Sequence, residues 1–400
     1  MGRDDAYSDD IDWLDVGAAV ATAQTPPPRR PWPRWFTLTV AAAVVAFVVA
    51  ALNYERRAPS AARVTAAPTT PASATQVASE TSAVLPTLPA VSVTRLGHPL
   101  LGATAGWELF GRGDGVLVRI QLATGQITRT AIPSLLSSGP MFMVAGVDRV
   151  VIRPLDNVPG YLVPDGKPAR QLSPLLNQDG PVFPGPAPNQ MWIRPSDDHE
   201  PVMALATSDG ARLAGFIPIP QESSAFDATP DGAGYLLFTG IGGVYDARPE
   251  GLRRITTGAL LAVGPTGWLV VECDEQYRCH TVLVGRVDGS RRVVNARSVS
   301  RDWRGVISPD GATAAMMTSG PNGAIGLDLL DLASGNRRVL DVSVSQQSYD
   351  AGIVFSPDST WLFAVVTDGT LAVINRETGA VGTLGAPLPA LSQLVLRPAR

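Results

Sequence analysis

Two cysteines, Cys273 and Cys279, are the residues whose spacing points most directly to chemistry. They flank five mostly polar residues and lie between two runs typical of β-strands, at 268–272 and 281–285. The two thiols would therefore face each other across a hairpin loop, at a separation that a disulfide can close. In the chain-entropy model, closing a loop this short stabilises a fold by about 2–3 kcal/mol.

Two other fates of the cysteine pair stay open. A metal site could use the adjacent His280, although no second cysteine pair or histidine cluster completes its ligand set. Two unpaired thiols are the other alternative. We favour the disulfide, which would require a compartment outside the cytoplasm.

The densest polar cluster is Asp197-Asp198-His199-Glu200, which stands between two prolines. Such a cluster could bind a cation or act as an acid–base pair. We favour the alternative of a solvated loop tip that joins two strands. The chain has three histidines, no Gly-x-Ser-x-Gly nucleophile elbow and no P-loop. We therefore expect no catalytic residue, no bound metal and no cofactor.

The composition restricts the class of fold and of partner. The 400 residues include 39 glycines and 35 prolines, which indicates a turn-rich chain rather than a helical bundle. The net charge of −4 and the scattered charges argue against nucleic acid as a partner, because nucleic-acid binding requires a clustered basic face.

Three segments precede the part of the chain that could form a globular domain. Residues 1–35 are acidic and polar, and we expect a disordered cytoplasmic tail. Residues 36–54 form a continuous apolar segment of roughly 19 residues. A helix of this length can cross a membrane once. Residues 55–90 are rich in Ala, Pro, Ser and Thr, which is typical of a flexible linker.

The apolar segment predicts an uncleaved membrane anchor, with a cleaved signal peptide as the alternative. Charge asymmetry around it favours a cytoplasmic N-terminus only slightly. The expected disulfide supports the same orientation, because it would place the globular domain outside the cytoplasm.

Residues 91–400 repeat themselves weakly but persistently. A β-rich run, a turn with glycine and a second run recur seven times, and the turn glycines are 38 to 46 residues apart. A period of this length with four short strands is what a β-propeller blade requires. The sequence therefore predicts an all-β fold, a seven-bladed β-propeller preceded by one transmembrane helix and a disordered linker.

A second marker accompanies the turns, and it carries a family resemblance. Segments 307–311 (Ile-Ser-Pro-Asp-Gly) and 327–335 (Leu-Asp-Leu-Leu-Asp-Leu-Ala-Ser-Gly) resemble the repeat of TolB-type, WD40-like propellers, and residues 353–384 are similar again. No Trp-Asp dipeptide recurs, so the chain departs from true WD40 repeats. The resemblance implies a propeller with a binding or scaffold role, and it carries over no partner.

The C-terminus is expected to close the ring. Residues 393–398 are similar to residues 352–357, which open the preceding blade, and the sequence pattern of the first blade begins at a second strand near Trp107. We therefore predict that residues 391–397 supply the inner strand of the first blade, which leaves no open sheet edge.

Propellers usually bind through the loops of one face, where second-to-third-strand loops and between-blade loops meet. The candidate binding residues expected on that face are Asp197, His199, Phe226, Tyr277, Arg278, Trp303 and Tyr349. Trp303 stands out because exposed aromatic residues beside arginine are typical of binding hot spots. Packing between neighbouring blades is an equally good explanation of this tryptophan.

These patterns predict a membrane-anchored, extracytoplasmic propeller that is not an enzyme and that binds a protein or a glycan. One alternative is a propeller enzyme, a hydrolase or lyase, that uses the acidic residues Asp197, Asp198 and Glu200. Another is a transmembrane regulator whose acidic tail docks a cytoplasmic protein.

Overall fold

The structure is a computed structural model, and it describes residues 90–132, 141–154, 159–176, 180–195, 201–295, 302–319, 324–345 and 352–397. These residues form β-strands and one short 3-10 turn, Ala225–Asp227. The predicted tail, anchor and linker lie outside the described residues. Within the described part, no helix is long and apolar enough to cross a membrane.

Sixteen strands lie between Val91 and Thr256. They are β1 (Val91–Arg95), β2 (Glu108–Gly113), β3 (Val116–Gln121), β4 (Gln126–Ala131), β5 (Met141–Ala145), β6 (Arg149–Pro154), β7 (Tyr161–Pro164), β8 (Arg170–Gln171), β9 (Val182–Pro184), β10 (Gln190–Ile193), β11 (Val202–Thr207), β12 (Arg212–Pro218), β13 (Ala228–Pro230), β14 (Leu236–Gly240), β15 (Gly243–Arg248) and β16 (Gly251–Thr256).

Thirteen further strands complete the described chain. They are β17 (Ala259–Val263), β18 (Gly267–Cys273), β19 (Cys279–Gly285), β20 (Arg291–Asn295), β21 (Asp302–Ile307), β22 (Thr313–Ser319), β23 (Ile325–Asp331), β24 (Arg337–Val344), β25 (Ile353–Phe355), β26 (Trp361–Val365), β27 (Leu371–Asn375), β28 (Val381–Thr383) and β29 (Leu391–Arg397).

The strands form antiparallel meanders that are arranged as a β-propeller, so the predicted all-β propeller is confirmed. The innermost strands contact one another in succession: β29 with β5, β5 with β9, β9 with β13, β17 with β21, β21 with β25, and β25 with β29. Their order around the ring places them about a common axis. This arrangement brings residues far apart in sequence to the centre of the domain.

Hydrogen bonding corrects the predicted count of seven separate blades. The described strands form six sheets, of which five are separate blades and the sixth is an eight-stranded sheet, β17 to β24. Its two four-stranded meanders join where β17 and β21 pair in parallel, Ala262 with Gly305 and Val263 with Val306. Gly264 permits this approach, because a Cβ there would come within 2.5 Å of the Cβ of Ile307.

Burial along the strands explains the mixture of apolar runs and alternating patterns in the sequence. The second strand β26 is packed on both faces, and its residues Leu362 to Val365 are fully buried. The outermost strand β24 instead alternates between exposed and buried side chains, because one of its faces meets water.

The repeated Ser-Pro-Asp segments are turn structures. The Ser308 hydroxyl bonds to Asp310 Oδ1 at 2.6 Å and accepts the Thr313 N–H at 3.0 Å. Ser356 makes the same contacts with Asp358 and Trp361. These side chains fasten the turn between the first and second strands, which explains the repeated sequence without a binding role.

The C-terminal strand closes the ring, as predicted. Strand β29 pairs with β2 from Glu108 opposite Arg397 to Gly113 opposite Leu391. Strand β1, which the sequence did not predict, adds a fifth strand outside β4. The first sheet therefore contains both ends of the described chain.

A buried ion network reinforces the closure. Arg397 is 4% exposed, and its guanidinium contacts Glu108, Asp165 and the Gly146 carbonyl oxygen, the last two in the neighbouring sheet. Arg119 adds a second ion pair to Glu108. Burial alone would raise the pKa of Glu108, but hydrogen bonds from Arg119, Gln121 and Arg397 outweigh it and lower that pKa below its ordinary value.

We predict that Glu108→Gln lowers the free energy of unfolding at pH 7 by about 3 kcal/mol, because it leaves Arg397 buried without its main counter-charge. Because the folded pKa is depressed, this contribution is complete above the unfolded pKa and disappears as the pH falls through the folded value. The difference between the two proteins in urea unfolding should therefore shrink below about pH 4.5.

Glu250→Gln, at an exposed turn carboxyl, is the matched control and should unfold like the wild type at every pH. A stability difference between wild type and Glu108→Gln that stays constant from pH 7 to pH 3 would contradict this account of the closure.

Candidate functional site

The innermost strands β13, β17, β21 and β25 surround a cavity of about 320 Å³ beside the propeller axis. We call it the axial cavity. Its volume is at the lower end of the range of small-molecule sites in proteins. The cavity therefore has room for a compact ligand.

Most of the cavity lining is apolar. Leu261, Val263, Val306, Ile353 and Phe355 are among the side chains that form it. Such a lining would hold the carbon skeleton of a ligand through the hydrophobic effect. Orientation of the ligand would then depend on the few polar groups that reach the same space.

Thr229 is a polar exception among structurally equivalent residues. Four equivalent residues directly follow the first strands β13, β17, β21 and β25. Each donates its backbone N–H to a carbonyl oxygen at the start of the next strand. They are Asp231, Gly264, Ser308 and Ser356. Two residues before these positions lie Thr229, Ala262, Val306 and Val354, and all four line the axial cavity. A hydroxyl thus replaces an apolar side chain in β13 alone of these four strands.

The Thr229 hydroxyl is buried and unsatisfied. Its Oγ1 atom has no hydrogen-bond partner among the described residues. A buried hydroxyl without a partner costs about 1–3 kcal/mol, so such a group in a native fold requires an explanation. Rotation of the Thr229 side chain towards the axial cavity would let a bound ligand supply one.

Arg304 brings a positive charge to the same cavity. It lies on β21, two strands around the ring from Thr229, and is half-buried. Its guanidinium can donate hydrogen bonds to a carbonyl or carboxylate oxygen. Together, Thr229 and Arg304 provide an apolar cavity with the polar groups that an acyl compound needs.

Two buried aspartates lie beside the cavity but face the protein interior. Asp231 and Asp246 are both 0% exposed. Burial raises the pKa of Asp246, although Arg248 and Arg253 oppose the shift. Asp231 is 3.9 Å from Arg286. Asp231 therefore links the β13–β16 sheet to Arg286 of the eight-stranded sheet, whereas Asp246 pairs with Arg248 and Arg253 of its own sheet.

The predicted disulfide is present between Cys273 and Cys279. The two residues are directly opposite each other in the pairing of β18 with β19. Asp274 organises the loop between them, since its carboxylate accepts the N–H groups of Gln276 and Arg278 at 2.9 Å each. The backbone hydrogen bond from Arg278 is the largest of the effects that lower the pKa of Asp274.

Three of the predicted binding residues lie on the same face of the propeller. Tyr277 and Arg278 are in the loop between β18 and β19, and Phe226 precedes β13 in a between-sheet loop. Tyr277 is 89% exposed and Phe226 is 52% exposed. These residues do not line the axial cavity.

The other predicted binding residues remain predictions. Asp197, His199 and Tyr349 lie outside the described residues. Trp303 falls within the innermost strand β21, rather than in a loop as predicted. Across the described ranges, no group of three or more His, Cys, Asp or Glu residues is placed to hold a metal ion.

Sequence reasoning did not identify Thr229 as a candidate site residue. Its segment, Thr229-Pro230-Asp231-Gly232, is similar to Ser308-Pro309-Asp310-Gly311, and this similarity would align Thr229 with Ser308. In the structure Asp231 is equivalent to Ser308, because each donates its backbone N–H across the turn to the second strand. The sequence signal was a threonine at a position where the equivalent strands have Val or Ala. Alignment on the turn motif assigns Thr229 to a different position and therefore misses it.

No family model matches the sequence, and no curated protein does either. Solved structures do resemble the fold at low identity. A putative 6-phosphogluconolactonase from Bacteroides fragilis is 12% identical, with a TM-score of 0.44, covering 75% of this chain and 99% of that one. The periplasmic gluconolactonase of Pseudomonas aeruginosa is 14% identical, with a TM-score of 0.43, covering 74% and 99%. TolB from Acinetobacter baumannii is 14% identical, with a TM-score of 0.36, covering 69% and 81%.

These similarities correct one expectation from the sequence. The sequence predicts a non-catalytic binding or scaffold module, because the propeller resemblance implies that role. Similar solved structures are described as lactonases, so a propeller of this kind gives no reason to exclude catalysis. The expectation that this chain is not an enzyme therefore loses the support that it took from the propeller fold, and the resemblance to TolB-type propellers is one of fold.

Proposed function

We propose that this protein is a propeller enzyme that hydrolyses a small ester or lactone in the axial cavity. The observation that carries the proposal is the pair of Thr229, whose hydroxyl has no partner among the described residues, and Arg304 in a largely apolar lining. A bound substrate or water would provide that partner.

The proposed reaction places an acyl group between two donors. Arg304 donates hydrogen bonds to the carbonyl oxygen, where negative charge develops as water adds to the carbonyl carbon. The Thr229 hydroxyl orients the attacking water through a hydrogen bond. The bond from the carbonyl carbon to the alkoxy oxygen then breaks, and that oxygen takes a proton from the water. The products are an acid and an alcohol, or one hydroxy acid from a lactone.

The apolar lining restricts the substrate class. An acyl compound with a compact hydrocarbon body would bury that body against Leu261, Val306 and Ile353. A ligand with several charges would lose its hydration without gaining matching partners. We therefore expect short-chain esters and small lactones to be better substrates than phosphorylated sugars.

We predict that Thr229→Val lowers kcat/KM for the best substrate in a panel of short esters and lactones by about tenfold or more. The same substitution should raise the free energy of unfolding by about 1 kcal/mol, because it removes an unsatisfied buried hydroxyl. Release of acid in a pH-indicator assay and urea unfolding measure the two effects.

Thr281→Val is the matched control. The Thr281 hydroxyl is also buried and without a hydrogen-bond partner among the described residues, but Thr281 lies on β19, away from the cavity. It should increase stability without changing activity. No turnover across the panel, or equal activity of Thr229→Val and the wild type, would contradict the proposal.

We also propose that the propeller is tethered to a membrane and lies in an oxidising compartment. The disulfide supports this location, because such bonds persist mainly outside the cytoplasm. The apolar segment 36–54 supports the tether. A protein or glycan partner at the propeller face that carries Phe226, Tyr277 and Arg278 remains a prediction.

The strand order further supports counting the fold as seven-bladed. Each half of the eight-stranded sheet is a complete four-stranded meander, β17 to β20 and β21 to β24. Counted separately, these halves and the other five sheets agree with the seven repeats in the sequence.

Reduction of the disulfide should lower the free energy of unfolding by about 2 kcal/mol, because the unfolded chain regains the entropy of a six-residue loop. Urea unfolding with and without a phosphine reductant measures the difference. A double variant, Cys273→Ser with Cys279→Ser, is the control and should not respond to reductant. A wild-type protein that is equally insensitive would contradict a stabilising role for the bond.

A further inference from the structure

A second cavity, of about 380 Å³, differs from the axial cavity in its chemistry. We call it the polar cleft. It lies between the fourth sheet and the first half of the eight-stranded sheet, near the disulfide. Its lining consists of Arg254, Ile255, Thr256, Thr257, Glu272, Cys273 and Arg291.

A β-bulge shapes one side of the polar cleft. Arg254 is opposite Tyr245 in the pairing of β15 with β16, but Thr256 is opposite Val244, so Ile255 is the extra residue. A bulge bends its strand and redirects side chains, and bulges are enriched beside functional sites. Here the redirected residues are an arginine and a threonine that both line the cleft.

The other side of the cleft is held by Arg291 on β20. Its guanidinium pairs with Glu272 on β18 and also donates to the carbonyl oxygen of the bulged Ile255. This contact joins the two sheets at the cleft. Because Glu272 balances the charge of Arg291, the exposed Arg254 gives the cleft a net positive charge.

The threonine hydroxyls add hydrogen-bond donors. Thr256 is 6% exposed, and its Oγ1 accepts the Gly258 N–H at 3.0 Å, which leaves the hydroxyl proton to donate to another group. Gly258 is required by packing, since a Cβ there would collide with the Val271 carbonyl oxygen. The local backbone therefore positions this hydroxyl.

We propose that the polar cleft is a binding site for an oxyanion, either free or carried on a larger ligand. Arg254 supplies the charge and forked hydrogen bonds, and the Thr256 and Thr257 hydroxyls donate to the remaining oxygens. This site is separate from the axial cavity and does not rest on the proposed hydrolysis.

Isothermal titration calorimetry of the full-length protein tests the site, with inorganic phosphate, sulfate and glucose 6-phosphate as probes at constant ionic strength. We expect saturable binding with one site per chain. Arg254→Gln should weaken it about tenfold or more, which corresponds to the loss of charge-assisted hydrogen bonds. Equal affinities would indicate a site for the oxyanion alone, and tighter binding of the sugar phosphate a site for a larger ligand.

Arg95→Gln is the control, because Arg95 is an exposed arginine on the outer strand β1 and its loss changes the net charge equally. It should bind like the wild type. An absence of saturable binding, or equal weakening by both substitutions, would overturn the proposal. Since the readout is binding rather than turnover, failure here leaves the proposed hydrolysis untouched.

Discussion

The pairing of β29 with β2 joins the two ends of the folded domain, and the remaining sheets depend on it for a closed ring. Each sheet buries its apolar faces against its two neighbours, so an open ring would expose two such faces to water. Arg397 on β29 pairs with Glu108 on β2 and with Asp165 directly after β7, so it joins two neighbouring sheets at this junction. The innermost strands can surround a cavity only while the ring stays closed.

The closed ring creates two different chemical environments. In the axial cavity, most of the lining side chains are apolar. Thr229 contributes a hydroxyl and Arg304 a positive charge to the same lining. In the polar cleft, charged side chains and hydroxyls are held between two sheets by Arg291. The first environment suits the body of an uncharged acyl compound, and the second suits an anion.

The sequence was sufficient for features that repeat or that depend on local spacing. Turn glycines such as Gly335, whose φ is +74°, recur because the hairpin requires a left-handed backbone, and this period predicted the propeller. The similarity of the last strand to earlier inner strands predicted the closure. The six-residue separation of the cysteines predicted the disulfide, which bridges directly opposed residues.

Features that depend on contacts between sheets could not be predicted in the same way. The parallel pairing of β17 with β21 depends on the missing side chain of Gly264, which no repeat reveals. The hydrogen bond across the turn makes Asp231, rather than Thr229, the equivalent of Ser308. The non-enzymatic expectation rested on the fold, and a fold does not determine a function.

A crystal structure of the protein with the acid product of its best substrate would test the central claim most directly. The account predicts density in the axial cavity, with a product oxygen within hydrogen-bond distance of Thr229 Oγ1 and the carboxylate facing Arg304. Density bound only elsewhere, with the axial cavity empty at saturating product, would contradict it.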